Sequence, residues 1–126
     1  MRAHRVLLLL AVAFAAAAAR GEPGSGVRLL VQSSLLAGFR YHAAAQVIDE
    51  LRVGDALDLE READNPHDAN AIGVSWHGQR LGYVPRRQNA ALAWALDRGE
   101  TLRARVSRLA PQAAASRRIE FEVYVE

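Results

Sequence analysis

The sequence predicts a mainly β domain: a small, six-stranded, partly closed β-barrel with one main helix packed on it. Short segments alternate apolar and polar residues with the period of two that marks a half-buried strand, as in Ala56-Leu-Asp-Leu-Glu-Arg-Glu62. Turn-forming pairs, including Gly54-Asp55 and His77-Gly78, separate these segments. Residues 89–99 have the apolar spacing of an amphipathic helix.

The predicted strands, in chain order, are Val27–Gln32, Ala56–Glu62, Ala71–Trp76, Gln79–Val84, Leu102–Leu109 and Ile119–Val125. Residues 33–38 are predicted as a loop. Gly38-Phe-Arg-Tyr41 leads into one further extended segment, interpreted as a strand to about Val47, and residues 48–53 follow as a turn of helix. Each segment ends at residues that favour turns or cannot continue a sheet.

The main helix is predicted from its two ends. Asn89 is a residue type that favours the N-cap position, and Gly99 suits the position just past the last turn. Between these ends, Leu92, Ala95 and Leu96 form the stripe that is expected to face the barrel.

The most polar stretch of the chain is Asp64-Asn-Pro-His-Asp-Ala-Asn70, between two predicted strands. Asp and Asn side chains hydrogen-bond nearby backbone groups, and Pro66 fixes its own φ angle and keeps Asn65 out of helical conformation. We therefore expect a rigid loop, and such loops often carry binding residues. A turn that only connects two strands is the alternative.

The chain begins with the features of a secretory signal peptide, assigned to residues 1–19. A positively charged start precedes an apolar run, and a series of alanines follows. The apolar stretch is shorter than the roughly 20 residues that cross a bilayer. Residues 20–26 are expected to be a flexible linker and residues 27–126 a domain that is exported to the periplasm or secreted, without stable membrane insertion after cleavage. An uncleaved anchor, or a misassigned start codon and a cytoplasmic product, are the alternatives.

Charge and cysteine content narrow the possible functions. The chain has 16 basic residues, all arginine, and 14 acidic residues. Two of the arginines lie in the leader, so cleavage after Ala19 leaves a domain of zero net charge. Nucleic acid binding would then need a local basic patch rather than the field of the whole domain. The absence of cysteine excludes disulfides and cysteine-ligated zinc.

Sequence motifs of catalysis are missing. There is no phosphate-binding P-loop, nucleophile elbow or metalloprotease helix motif. The polar loop lacks the glycine and the bidentate glutamate of a calcium-binding EF-hand loop. His67, Asp68 and His77 have no spacing that fixes three metal ligands. We therefore expect a binding module without catalytic residues, metal or cofactor; a hydrolase acting on nucleic acid ends is the least supported interpretation.

Side chains suited to nucleic acid lie near the ends of predicted elements: Arg40, Tyr41, His67, Tyr83, Arg86 and Arg87. Aromatic faces stack on bases, which is worth roughly 1–3 kcal/mol per base, and arginines follow the phosphates. Asn65 and Asp68 would accept hydrogen bonds from a base edge or a sugar hydroxyl. Structural roles stay open: the tyrosines as packing at the barrel rim, His67 as a turn residue, the paired arginines as a solvated helix start, and Arg40 as an ion-pair partner of Asp68.

Five segments, in this order along the chain, resemble the HIRAN domain family: Gly38-Phe-Arg-Tyr41, Val53–Glu62, Asn65-Pro-His-Asp-Ala-Asn-Ala-Ile72, Leu81-Gly-Tyr-Val-Pro-Arg86 and the helix from Asn89 to Gly99. The resemblance covers about Val27–Glu126. It implies an OB-like β-barrel. In fork-remodelling helicases this domain recognises single-stranded DNA and captures its 3′-hydroxyl end.

Transferred by position, the resemblance implies DNA-binding roles for Arg40, Tyr41, Asn65, His67, Asp68, Tyr83 and Arg86. Tyr41 would stack on a base, Asn65 and His67 would line the pocket, and Asp68 would accept a hydrogen bond from the 3′-hydroxyl group. His67 stands where the DNA-end-binding members carry tyrosine, which weakens stacking and makes the contact sensitive to pH. Family members occur beside helicase or nuclease domains, whereas the expected leader would send this domain away from chromosomal DNA.

Two hypotheses of different classes follow. The first is a non-enzymatic module that binds single-stranded DNA ends by stacking, hydrogen bonding and arginine–phosphate contacts. The second is an exported β-barrel that has lost DNA binding and binds a protein or peptide of the cell envelope, for instance along an edge strand.

If residues 1–19 are a signal peptide, the mature protein starts at Arg20. Cell fractionation followed by N-terminal sequencing is expected to find that terminus outside the cytoplasm. Replacing Arg2 and Arg5 by glutamate is the control, because it removes the positive charge that an export signal needs. A cytoplasmic protein that keeps Met1 would contradict export.

Overall fold

The computed structural model describes residues 27–125, so the expected leader and linker lie outside the described residues. Six antiparallel strands form one sheet in the order β1-β6-β5-β2-β3-β4. The strands are Leu29–Leu35 (β1), Ala56–Arg61 (β2), Ile72–Trp76 (β3), Gln79–Tyr83 (β4), Arg103–Leu109 (β5) and Ile119–Val125 (β6). The predicted fold class, six strands with one main helix, is confirmed. No helix within residues 27–125 is long and apolar enough to cross a membrane.

The sheet curls towards a barrel, and a single bridge joins its two ends. Ala37, just after β1, pairs antiparallel with Tyr83 at the end of β4, and each N–H donates to the carbonyl oxygen of the other at 2.9 Å. Gly82 permits this approach, because a Cβ atom there would lie 2.2 Å from the Ala37 carbonyl oxygen. No ladder joins β1 to β4 elsewhere in the described residues. The barrel is therefore partly closed.

The apolar side chains of alternating strand positions fill the barrel interior. In β6, buried apolar residues alternate with half-buried polar ones, as the sequence pattern predicts. β3 differs, since all five of its residues are buried. Its outward positions, Gly73 and Ser75, are covered by the Arg80 side chain: a Cβ atom on Gly73 would lie 2.3 Å from the Arg80 Cζ, and Arg80 Nε donates to the Ser75 hydroxyl oxygen at 3.2 Å.

The prediction of a strand from Gly38 to Val47 is wrong. Gly38 has a φ angle of 80°, which starts a 3-10 helix at Phe39–Tyr41, and Ala44–Val47 forms a one-turn helix, α1. The alternation of buried Phe39 with exposed Arg40 is typical of a strand, but residues 43–45 are all alanine, the best helix former. Phe39, Ala44 and Val47 are buried in the core, so burial favours these two turns over an extended edge.

Several predicted boundaries shift, and the first strand begins at Leu29 rather than Val27. β1 extends to Leu35 rather than Gln32, because it keeps pairing with β6 as far as the Leu35–Glu120 pair. The loop expected at residues 33–38 is correspondingly shorter. The turn of helix expected at residues 48–53 lies earlier, at α1.

The main helix, α2, covers Ala90–Asp97. Leu92 and Ala95 are buried as predicted, but Leu96 is half buried and Ala93 takes its place in the core. The buried face of the helix is therefore narrow and consists of Leu92, Ala93 and Ala95.

The carboxyl end of α2 matches the prediction and the amino end does not. Gly99 has a φ angle of 88°; its N–H donates to the Leu96 carbonyl, while the Glu100 N–H donates to the Ala95 carbonyl, each at 3.0 Å. These two bonds form a Schellman motif. Asn89 occupies the N-cap position, yet its side chain makes no capping hydrogen bond.

Substitution of Gly82 by alanine tests the closure. The added methyl group meets a backbone oxygen of Ala37 that cannot turn aside, so we expect a loss of about 1–3 kcal/mol in the free energy of unfolding, measured by urea denaturation. Ala56→Val is the control, since it adds methyl groups at an exposed position of β2, and it should cost less. Equal losses would show that the bridge does not hold the barrel together.

Candidate functional site

A cavity of about 430 Å³ opens where the polar loop (Asp64–Asn70) meets the closure of the barrel. It is lined by Ala37, His42, Asn65, His67, Asp68, Ala71, Tyr83 and Arg86. Five of the seven site residues predicted from the sequence are in this set: Asn65, His67, Asp68, Tyr83 and Arg86. The polar loop supplies three of them, and the end of β4 with the turn behind it supplies the other two.

Arg40 and Tyr41 do not line this cavity. They line a smaller groove of about 230 Å³, together with Ala114, Ala115 and Ser116. Tyr41 is 82% exposed, so its ring does not pack on the barrel rim. The suggested ion pair between Arg40 and Asp68 is absent from the described residues.

Asn65 holds the polar loop in shape. Its Oδ1 accepts hydrogen bonds from the backbone N–H groups of His67, at 2.8 Å, and Asp68, at 3.2 Å. Its Nδ2 donates to Oε1 of Glu62 at 3.0 Å. These bonds make an Asx turn that is anchored to the end of β2, and they confirm a rigid loop. The loop is closed behind it by the Glu62 N–H, which donates to the Ala71 carbonyl at 2.9 Å.

Asp68 is held by partners on both carboxylate oxygens. Oδ1 accepts the Asn70 backbone N–H at 2.9 Å, and Oδ2 accepts Nδ2 of Asn89 at 2.8 Å. Arg86 Nε lies 3.8 Å from Oδ2. The Asn70 N–H foremost, and then the Asn89 amide, lower the pKa of Asp68 below its ordinary value of 3.8. Asp68 is therefore an ionised, acceptor-only group at neutral pH, and its side chain is 20% exposed.

Tyr83 is fixed as a wall of the cavity by two charged residues. Its hydroxyl donates to Oε1 of Glu62 at 2.9 Å and accepts from Nη1 of Arg80 at 2.9 Å. The same Arg80 nitrogen donates to Oε2 of Glu62 at 2.7 Å. Burial and the Glu62 carboxylate raise the pKa of Tyr83 above its ordinary value. The His42 ring packs at a tilt of 57° against the Tyr83 ring, 5.5 Å between centroids, so this wall is aromatic and rigid.

Arg86 connects the polar loop to the turn before α2. Its Nη2 donates to the backbone carbonyl oxygen of His67, which anchors one side of the guanidinium group. The side chain is still 72% exposed, so its remaining donors face solvent at the mouth of the cavity. Arg87, next to it, is exposed as well. The two arginines make the mouth of the cavity positively charged, next to the Asp68 carboxylate.

Four residues that line the cavity or hold its lining side chains were not predicted from the sequence: His42, Glu62, Arg80 and Asn89. Glu62 and Arg80 look like ordinary polar positions of alternating strands, and Asn89 like a helix cap. His42 follows Tyr41 in a segment read as a strand. Each gains its role from a contact with a residue distant in sequence, which no local pattern signals.

The arrangement offers hydrogen-bond acceptance, positive charge and an aromatic surface. Asp68 can accept a hydrogen bond from a ligand hydroxyl, Arg86 can neutralise an anion, and the Tyr83–His42 wall can contact a planar ring. Among residues 27–125, no three His, Asp or Glu side chains lie together as a metal site.

Comparisons with known proteins identify a family and two similar solved structures. The family model described as the HIRAN domain matches residues 29–126. A crystal structure of a protein from Lactobacillus plantarum is 31% identical with a TM-score of 0.69, covering 78% of this chain and 94% of that one. The crystal structure of the HIRAN domain of human HLTF is 22% identical with a TM-score of 0.58, covering 79% of each chain, and shows likeness of fold. No curated protein matches the chain.

The charged network around Tyr83 predicts a loss of stability in acid. Hydrogen bonds from Arg80 and Ser75 lower the pKa of Glu60, and those from Asn65, Arg80 and Tyr83 outweigh burial to lower the pKa of Glu62, both below 4.5. The unfolded chain therefore takes up protons first as the pH falls. Stability should be full above the ordinary glutamate pKa and decline progressively below about pH 4.5, measured as Tm against pH.

The variant Glu62→Gln separates this network from general acid denaturation. It should lower the free energy of unfolding at pH 7 by about 1–3 kcal/mol and flatten the decline in acid. Glu50→Gln is the control, because the Glu50 carboxylate is exposed and makes no hydrogen bond in the described residues. Identical pH profiles for wild type and Glu62→Gln would contradict the role of this network.

Proposed function

The chain belongs to the HIRAN domain family, and from this premise we propose that it binds the 3′-hydroxyl end of single-stranded DNA in the cavity around Asp68. Family membership supports nucleic acid binding as the general class of function and a binding module rather than an enzyme. The finer assignment rests on one observation: an ionised carboxylate, held on both oxygens, beside an exposed arginine at the mouth of a cavity.

The charge of Asp68 supports a hydroxyl ligand over an anionic one. A carboxylate that accepts two hydrogen bonds from the protein keeps lone pairs for a third donor, and a sugar hydroxyl supplies one. A terminal phosphate would instead place negative charge against Asp68. The cavity volume of about 430 Å³ lies in the range of roughly 300–1,000 Å³ that is usual for small-ligand sites, which suits one terminal nucleotide.

The neighbouring groove supports contact with the next nucleotides. Tyr41 exposes its ring to solvent, which leaves a face free for a base, and Arg40 is exposed beside it. Tyr83 and His42 form the wall of the terminal pocket, while Arg86 at its mouth is placed for a phosphate. A strand that runs from the cavity to the groove would use all these contacts, with stacking and charge acting together.

A second candidate function, binding of an envelope protein or peptide, is favoured by the exposed apolar edge of the sheet. β1 ends the sheet order and carries no charged residue, and Leu29, Leu30 and Val31 are exposed. Edge strands of this kind pair with other chains. Pull-down of envelope proteins without DNA, lost in Leu30→Arg, would select this function over the first.

Fluorescence anisotropy with oligonucleotides ending in a 3′-hydroxyl or a 3′-phosphate tests the proposal. Wild type should prefer the hydroxyl end, because only the hydroxyl can donate to Asp68. Asp68→Asn keeps the shape and removes the charge, and it should weaken hydroxyl-end binding by about 10- to 100-fold.

Asp64→Asn is the matched control, since Asp64 lies in the same loop, is exposed and makes no side-chain hydrogen bond in the described residues. The salt dependence should be shallow, because few arginines contact phosphates. Absence of binding at low salt, or full binding by Asp68→Asn, would overturn the proposal.

A further inference from the structure

Asn89 stands at a helix N-cap but uses its side chain for something else. The residue is 2% exposed, and no backbone N–H of α2 reaches its side chain. Its Nδ2 instead donates across 21 positions of sequence to Oδ2 of Asp68, at 2.8 Å. Asparagine is among the best N-cap residues, so diverting its side chain gives up a local stabilising bond. The hydrogen bond to Asp68 replaces that capping bond and satisfies the buried amide.

The contact determines how the Asp68 carboxylate is oriented. The Asn70 N–H holds Oδ1 within the polar loop, and the Asn89 amide holds Oδ2 from the side of α2. Two bonds from different elements fix the plane of the carboxylate. Without Asn89, only the Asn70 bond and the longer contact from Arg86 Nε, 3.8 Å from Oδ2, would hold it. Asn89 does not line the cavity, so any effect on a ligand passes through Asp68.

We propose that Asn89 is a positioning residue that aims the Asp68 carboxylate into the cavity and so determines selectivity for a ligand hydroxyl. This inference rests on the proposed function and deepens it. A neutral donor is required here. A cationic side chain would neutralise Asp68, and an acidic one would repel it. Alanine would leave Oδ2 without its buried partner.

Helix capping and positioning can be separated by substitution. Asn89→Asp keeps a residue that caps as well as asparagine, but it replaces the donor by a second carboxylate facing Asp68. The two carboxylates raise each other's pKa, and once they share one proton the hydrogen bond is restored. Hydroxyl-end binding by this variant should therefore recover, relative to wild type at the same pH, as the pH falls from 7 towards 5.

Affinities of Asn89→Asp and wild type are compared at each pH, because other charged or titratable groups near Asp68 can also change binding as the pH falls. Arg86 and Arg61 act on its charge, and His42 and His67 line the same cavity. These groups are the same in both proteins. A purely structural defect at Asn89 would not recover in acid.

The experiment is a double-mutant cycle of Asn89→Ala and Asp68→Asn, read as the ratio of affinities for oligonucleotides with a 3′-hydroxyl and a 3′-deoxy end. Asn89→Ala should lower this ratio about tenfold. In the Asp68→Asn background, Asn89→Ala should not change the ratio further, because Asn89 acts on the ligand only through the Asp68 carboxylate. Asn70→Ala is the matched control: it removes an amide from a residue that serves Asp68 only through its backbone.

A second measurement needs no DNA. Carboxyl NMR titration of the ligand-free protein should show a higher pKa for Asp68 in Asn89→Ala than in wild type and no change in Asn70→Ala. If wild type binds neither oligonucleotide, the proposed function fails, while a raised Asp68 pKa still supports the positioning contact. Additive effects in the cycle, or an unchanged Asp68 titration in Asn89→Ala, would overturn the inference.

Discussion

The closure of the barrel by the Ala37–Tyr83 bridge is the constraint on which the site depends. This bridge brings the chain after β1 against the end of β4, and it places the His42 ring on Tyr83. The absence of a side chain at Gly82 is what allows the two backbones to meet. The polar loop and the turn before α2 then reach the same end of the barrel, and the cavity is the space that remains between them.

Charge in this domain is organised locally rather than globally. The arginines and acidic residues are almost equal in number, and many pair on the barrel surface, as Arg80 does with Glu60 and Glu62. Arg86 differs, because it binds the polar loop on one side and keeps most of its side chain exposed. A domain in which arginines and acidic residues balance can thus present an exposed arginine beside an anionic acceptor.

Residues of the candidate site could be placed from the sequence where local chemistry brings them together, and not where contacts between distant segments do. Asn65, His67 and Asp68 are close in sequence, and the turn chemistry that marks them also places them on one loop. Arg40 and Tyr41 were predicted to bind the same ligand, and the turn at Gly38 places them in a separate groove. Glu62, Arg80 and Asn89 had no local signal, because each acts through a partner on another element.

The sequence alone determined the six strands, the helix ended by Gly99 and the rigid polar loop, because alternation, glycine and turn residues act over a few positions. Only the tertiary structure decided that residues 39–47 coil into two turns, since that choice depends on burying Phe39, Ala44 and Val47 in a core built by distant strands. It also decided that the Asn89 side chain serves Asp68 instead of its own helix. Packing sets such choices, because a buried polar group must find its partner wherever the fold supplies one.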